Sequence, residues 1–237
     1  MQAIQGITGL LERLRTHESS SPRLVWYGGE GERIELSGRV LDNWVAKTSN
    51  LLVEELDAEQ STRVGLRLPP HWKTLVWAMA SWQVGAVTVI GERSGEVDIS
   101  GPVDIDVTGP GSVPDEDAPA RVLVAPGAMD LRWPGELPPG ALDYAAVVRS
   151  FGDVYLDDVP ADNLPLMEAD RATMGFQDLP ASDGGVLLVS AGLHLRAVLE
   201  AALSTWSADG TLIVVHPDIE VSDKLLAGER VTARLEA

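Results

Sequence analysis

The sequence predicts an α/β protein, with a mostly parallel sheet flanked by helices. The strand-like segments are continuous apolar runs, such as RVGLRL at 63–68 and TLIVV at 211–215. A strand with one face in water would instead alternate apolar and polar residues. Between the runs, apolar residues recur every three to four positions, which is the spacing of an amphipathic helix. Buried strands that alternate with helices are typical of parallel sheets covered on both faces.

The first half of the chain begins with a helix and a hairpin, and then alternates helices with buried strands. Gly28, Gly29 and Gly31 supply the hairpin turn, and Ser37 is placed to cap the helix that follows. The predicted elements are a helix at 1–16, strands at 24–29 and 33–36, a helix at 38–56, a strand at 63–68, a helix from Pro70 to 83 and a strand at 86–90.

The second half contains more glycine, proline and aspartate, so its elements lie farther apart along the chain. Residues 152–183 are polar and acidic, and we expect them to be irregular. We expect one domain over residues 1–237. The predicted elements are strands at 103–107 and 121–125, a short helix at 141–150, a strand at 185–189, a helix at 193–206, a strand at 211–215, a helix at 223–230 and a strand at 231–236.

The composition excludes several functions. The 237 residues include 36 acidic and 18 basic side chains, for a net charge of -18. Such a field repels phosphates, so neither nucleic acid nor a membrane is expected as a partner. The chain has no cysteine, no histidines at metal-ligand spacing, no signal-peptide pattern and no apolar run long enough to cross a bilayer. We therefore expect a cytoplasmic protein without a metal site.

Two stretches resemble the adenylate-forming enzymes, the family of acyl-CoA synthetases, luciferases and peptide-synthetase adenylation domains. The first is IELSGRVLDNWVAKTSNLL, then RVGLRLPP, then TLVWAMASWQVGAVTVI, which is similar to the N-terminal region of that family. The second, residues 188–232, is similar to a later conserved stretch. The chain also resembles a group of short actinobacterial proteins with distant similarity to these enzymes. The resemblance implies the acyl-CoA synthetase fold.

The part of the family that binds ATP is not recognisable in this sequence. In the family, a loop rich in serine, threonine and glycine cradles the ATP phosphates and carries a lysine. Its expected place lies between the strands at 121–125 and 185–189, where there is neither such a run nor a lysine. The other catalytic motifs would lie beyond residue 237. We therefore expect a truncated, non-catalytic relative (a pseudoenzyme) without a cofactor. The acidic residues in place of the loop are Asp162, Glu168, Asp170, Asp178 and Asp183.

One function that fits is a binding or scaffold protein. A second copy or another protein would then cover the face that the following part of the family's large domain covers in full-length relatives. Trp72, Trp77 and Trp82 lie five residues apart and cannot share one face of a helix. We expect at least one of them to point away from the sheet and contact a partner, because tryptophan often anchors interfaces.

The alternative is a protein that binds a small acyl or nucleotide-like molecule, or an enzyme with residual chemistry. The ligand would occupy the cleft at the carboxyl ends of the strands, near Gly91, Ser190, Gly192 and His194. In the resembled family, the position of His194 often holds a histidine or aromatic residue that lines the acyl pocket.

Two further patterns have a plain structural interpretation. LVSAG at 188–192 is half of a nucleophile elbow, but Leu188 replaces its first glycine. We expect a tight turn there, which would suit a small anion at the start of a helix. The acidic stretch GDVYLDDVPAD at 152–162 lacks the spacing of a calcium loop, and we expect a solvated loop.

Overall fold

The computed structural model describes residues 4, 6–91, 99, 101–128, 130–157, 160–169 and 172–236. Within these ranges helices alternate with strands at 33–89 and at 186–235, as the apolar periodicity predicts, whereas several strands follow one another in between. None of the helices described there is long and apolar enough to cross a membrane.

Most elements fall close to their predicted positions. The predicted helix at 141–150 is an exception, because Ala141–Asp143 forms a strand that pairs with Ala120–Leu123 and only Tyr144–Val147 is α-helical. The helices are α1 (Gly6–Thr16), α2 (Gly38–Leu56), α3 (Trp72–Val84), α4 (Tyr144–Val147), α5 (Leu195–Ser207) and α6 (Asp223–Glu229). The strands are β1 (Pro22–Tyr27), β2 (Arg33–Ser37), β3 (Arg63–Arg67), β4 (Val87–Val89), β5 (Ile105–Thr108), β6 (Ala120–Leu123), β7 (Ala141–Asp143), β8 (Pro165–Ala169), β9 (Ala172–Gly175), β10 (Val186–Ser190), β11 (Thr211–Val215) and β12 (Ala233–Leu235).

The strands form two sheets, of five and seven strands. The five-stranded sheet has the order β12-β10-β11-β1-β2, and the seven-stranded sheet has the order β7-β6-β5-β3-β4-β8-β9. All neighbours are parallel except the edge pairs β1–β2 and β8–β9. The predicted fold class is confirmed. The division into two sheets was not predicted, because an apolar run indicates that a strand is buried but not which strand it pairs with.

The main core lies between the two sheets. It joins apolar side chains of α1, α2, α3 and α5 to one face of each sheet, for example Leu24 and Leu212 from one and Leu66 and Val107 from the other. The opposite face of the five-stranded sheet is also covered. There, Val25, Leu188, Ile213 and Val215 pack under Leu225 and Leu226 of α6.

The tryptophans of α3 are buried. Trp72, Trp77 and Trp82 have exposed fractions of 2%, 0% and 2%. The expectation that at least one of them is placed to contact a partner is therefore wrong. The reason is the position of α3, which contacts α1, α2 and strands of both sheets, so that every face of the helix meets protein.

The acidic segment at 152–183 is more regular than predicted. Its centre forms the hairpin β8–β9, and β8 extends the seven-stranded sheet by pairing with β4. The hairpin buries Leu166, Met167 and Met174. Polar residues surround them in the sequence, so the apolar pattern of a buried strand is not apparent there. Asp158 and Asp170, two of the acidic residues noted above, lie outside the described residues.

Candidate ligand-binding cleft

A cavity of about 870 Å³ lies at the carboxyl ends of strands from both sheets. This is the expected position for a ligand in a parallel α/β sheet, and the volume is within the usual range for small-molecule sites. The segments that line it follow β1, β3, β5, β6, β10 and β11, and are residues 28–32, 68–71, 109–110, 124–127, 191–193 and 216–217.

The wall of the cavity is largely apolar, with a few polar groups. Six side chains carry the polar character, and the start of α3 supplies three of them. The apolar lining residues include Trp26, Leu68, Pro69, Val124, Leu193 and Leu195. The polar ones are Glu30, Glu32, His71, Lys73, Thr74 and His216.

Among the residues that line the cavity, Lys73 is the one with a lysine or arginine side chain. It lies in the first turn of α3 and is 4% exposed. Its Nζ donates hydrogen bonds to the carbonyl oxygens of Ala125 and Gly127, at 2.6 and 2.8 Å. Burial lowers the pKa of Lys73 to about 8, although the carboxylates of Asp130 and Glu32 favour its charged form.

His71 and Trp26 form an aromatic group next to Lys73. His71 caps α3, because its Nδ1 accepts a hydrogen bond from the amide of Lys73 at 3.2 Å. Its ring meets that of Trp26 edge to face, with the ring centres 4.5 Å apart. Burial lowers the pKa of His71 to about 3, so the imidazole is neutral at neutral pH. The ring of His216 also meets Trp26 edge to face, at 6.1 Å.

Glu32 connects the two sheets across the cavity. One carboxylate oxygen accepts from Trp26 Nε1 at 2.8 Å, and the other accepts from the amide of Ala128 at 2.9 Å. The β1–β2 hairpin is thereby attached to the loop that follows β6. Lys73 holds the same loop through its two carbonyl acceptors, so the walls of the cavity are fixed by partnered polar groups.

Of the four residues predicted for this cleft, Gly192 lines the cavity and the other three lie beside it. Ser190 Oγ accepts from the amide of Gly192 at 3.2 Å, which forms the tight turn expected after β10. His194 donates from Nε2 to the carbonyl oxygen of Gly91 at 2.7 Å, while its Nδ1 accepts from the amide of Arg196. His194 therefore caps α5 and fixes the end of the segment after β4.

The main polar residues of the wall could not be identified from the sequence. Lys73 is one of three lysines in the chain, and His71 follows two prolines at the start of a helix. Neither pattern indicates a cavity, because the partners of Lys73 are backbone carbonyls more than fifty residues away. Glu32 follows a turn that the sequence explains as part of a hairpin.

The acidic residues that stand in place of the phosphate loop are separate from this wall, as far as the structure describes them. Among the described residues of 160–185, none lines the cavity. Glu168 of β8 instead pairs with Arg63 of β3 at 2.5 Å. In the part of the chain that the structure describes, no three histidine or acidic side chains are grouped closely enough to hold a metal ion.

Solved structures share this arrangement of sheets. The acyl-CoA synthetase of Brucella canis superposes with a TM-score of 0.71 over 99% of this chain and 47% of its own, at 14% identity. The chain has the fold of the N-terminal part of acyl-CoA synthetases. The acetoacetyl-CoA synthetase of Streptomyces lividans gives a TM-score of 0.69 over 98% of this chain and 42% of its own, also at 14% identity. The chain spans less than half the length of both enzymes.

A similar sequence of matching length is also known. A protein of Mycobacterium tuberculosis described as a TIGR03089 family protein is 29% identical over 241 residues, which cover 94% of this chain and 95% of that protein. No protein-family model matches the chain. The resemblance to the N-terminal region of adenylate-forming enzymes is confirmed, and so is the resemblance to a short actinobacterial protein.

Proposed function

We propose that this protein binds a small organic molecule in the cleft at the strand ends and does not adenylate it. The observation that carries the proposal is the cavity itself, whose apolar wall contains a few polar groups and is built from the ends of strands in both sheets. Such a combination of shape, volume and lining is typical of small-molecule sites.

The absence of adenylation is supported by the sequence. Residues 126–184 contain no lysine and no run of serine, threonine and glycine that would cradle a triphosphate. The exposed carboxylates of Asp162, Asp178 and Asp183 lie in that region. Together with the net charge of -18, they would repel the phosphates of ATP.

The wall also indicates what kind of molecule fits. The carboxylate of Glu32 already has two donors, and Nδ1 of His71 accepts from the backbone. A highly charged ligand would find few polar partners there and would have to be desolvated. A mostly apolar molecule with one polar group matches the lining better.

The other expected function, a scaffold, depends on a surface for a partner. The three tryptophans proposed for that surface are buried, so a partner would have to recognise other residues. The scaffold therefore stays a prediction without a surface assigned to it.

Binding to the cleft can be tested with N-phenyl-1-naphthylamine, a neutral probe that fluoresces in apolar sites. Gly192→Trp should block the cleft, because a Cβ atom at residue 192 would lie 3.4 Å from Ser190 Oγ and 3.8 Å from Pro217 Cγ. These distances leave room for the backbone to accept a side chain. Gly228→Trp is the matched control, since residue 228 lies in α6 with no atom near its Cβ position.

We expect saturable binding of the probe to the wild type and to Gly228→Trp. For Gly192→Trp we expect binding at least about tenfold weaker, because an indole fills much of a small-molecule site. If none of the three proteins binds the probe, or if all three bind it equally, the proposal is wrong.

A further inference from the structure

We infer that Lys73 is a nucleophile, and that the ligand of the cleft carries an aldehyde or ketone group that forms an imine with its Nζ. The inference rests on the proposed function, because it names the ligand class for the same cleft. It concerns a covalent step that involves neither ATP nor an acyl adenylate.

The position of the amine carries the inference. Lys73 is almost fully buried, yet it lines the cavity together with the two residues whose carbonyl oxygens it contacts, Ala125 and Gly127. A neutral amine has two hydrogens and one lone pair. When both hydrogens are donated to these carbonyls, the lone pair points away from them. The two carbonyl oxygens therefore satisfy both N–H groups of the neutral amine and leave its lone pair available.

The surroundings of Lys73 favour a substantial neutral fraction. Burial is the largest influence on its pKa, which is lowered to about 8, and Arg149 acts in the same direction. Asp130 and Glu32 oppose this shift, and the nearby His71 is neutral. At pH 7.5 roughly a quarter of such an amine is neutral, compared with about one in a thousand for an ordinary lysine. A desolvated lysine with a lowered pKa is a recognised form of activated nucleophile.

The step is balanced without an oxidant or a reductant. The lone pair of Nζ attacks the carbonyl carbon, and one nitrogen proton passes to the carbonyl oxygen to give a carbinolamine. The nitrogen lone pair then forms the C=N bond as the C–O bond breaks, and the hydroxyl leaves as water after it takes up the second nitrogen proton. When this nitrogen is protonated, its N–H can donate to the carbonyl of Ala125 or Gly127. The apolar wall limits the access of water and so slows hydrolysis.

The small number of lysines makes the inference easy to test. The intact protein is incubated with benzaldehyde and sodium cyanoborohydride, which traps imines as stable amines, and labelling is followed by peptide mass mapping. Lys47, Lys73 and Lys224 are the only lysines in the chain, and the N-terminal amine is mapped separately. We expect Lys73 to be labelled at least about tenfold faster than the other two lysines near pH 8, because burial in the wall favours its neutral, nucleophilic form.

Variants separate reactivity from folding. Lys73→Arg keeps the positive charge but should lose the fast labelling, whereas Lys47→Arg, the matched control, should retain it. Thermal unfolding of each variant shows whether it is folded. Equal labelling of the three lysines, or slowest labelling at Lys73, would overturn the inference.

The Gly192→Trp variant distinguishes this inference from the proposed function. Fast labelling of Lys73 that is lost in Gly192→Trp supports a ligand in the cleft. Fast labelling that Gly192→Trp leaves unchanged overturns the assignment of the carbonyl ligand to this cleft. If the neutral probe binds the cleft but Lys73 is not labelled preferentially, the inference is wrong and the proposed function stands.

Discussion

Polar side chains are held by the backbone in the wall of the cleft, whereas many of them are exposed in the acidic segment at 152–183. In the wall, Lys73, Glu32 and His71 are tied to backbone groups of neighbouring elements. In the acidic segment, carboxylates such as Asp157 and Asp183 are exposed. Fixed polar groups on an apolar wall suit a site that recognises a ligand, whereas exposed carboxylates suit solubility. This difference supports the proposal of a ligand site without a phosphate-binding part.

The largest expected effect comes from Asp106, at the cleft end of the seven-stranded sheet. Its side chain is fully buried and accepts from Arg67 Nε at 2.7 Å, from Thr108 Oγ1 at 2.7 Å and from the amide of Asp115 at 2.9 Å. Asp106→Ala leaves the buried guanidinium of Arg67 without this carboxylate. We expect the free energy of unfolding, measured by urea denaturation, to fall by about 3–5 kcal/mol.

The matched change in the acidic segment is Asp178→Ala. Asp178 is exposed, and its carboxylate accepts from the amide of Gly175 at 2.8 Å. Because this contact resembles a helix cap at the surface, we expect a loss of about 1 kcal/mol. A loss as large as that of Asp106→Ala would show that the two regions do not differ in the way described here.

A buried carboxylate in α2 should also make the free energy of unfolding depend on pH. Asp42 of α2 pairs with Arg15 at 2.9 Å, but burial raises its pKa to about 6. Because the pKa is higher in the folded than in the unfolded protein, the stability that Asp42 contributes is fully present below about pH 4 and is lost as the pH rises through 6. In Asp42→Asn this loss should be absent.

The measurement is a series of urea denaturations of the wild type and Asp42→Asn between pH 4 and 7. Relative to the variant, the wild type should lose about 3 kcal/mol over this range. Parallel stability curves for the two proteins would contradict the assignment of this titration to Asp42.

A smaller effect than that of Asp106→Ala is expected at Gly85, which lies beside Pro160 of the acidic segment. Gly85 ends α3 with φ of 89°, and a Cβ atom there would lie 3.2 Å from Pro160. Gly85→Ala should lower the free energy of unfolding by roughly 1–2 kcal/mol, because this backbone conformation is unfavourable for alanine. Gly228→Ala in α6, where the space is open, should instead be neutral or stabilise by up to about 1 kcal/mol when both variants are measured by urea denaturation. If the two substitutions have the same effect, backbone strain is not the cause.

The sequence predicted the elements well because their signals are local. The apolar runs of β3 and β11 and the helical periodicity of α2 depend only on neighbouring residues. The hairpin β8–β9 was missed because its buried residues are few and lie among polar ones. The burial of Trp77 was missed because α3 is covered by two sheets, and sheet pairing is not a local property.

The position of the cleft was predicted, but most of the residues that line it were not. The carboxyl ends of parallel strands give the position, and Gly192 follows from it. Lys73 and Glu32 were not predicted because their partners are backbone groups of a distant loop, at Ala125, Gly127 and Ala128. Such contacts leave no pattern of side chains in the sequence.

The most direct test is isothermal titration of the intact protein with Mg-ATP and then AMP, after N-phenyl-1-naphthylamine has been shown to bind the same sample. We predict saturable binding of the neutral probe and no binding heat from either nucleotide, because the segment at 160–185 offers exposed carboxylates in place of a phosphate loop. Micromolar binding of Mg-ATP would contradict this prediction, and would require a phosphate site that neither the sequence pattern nor the cleft provides.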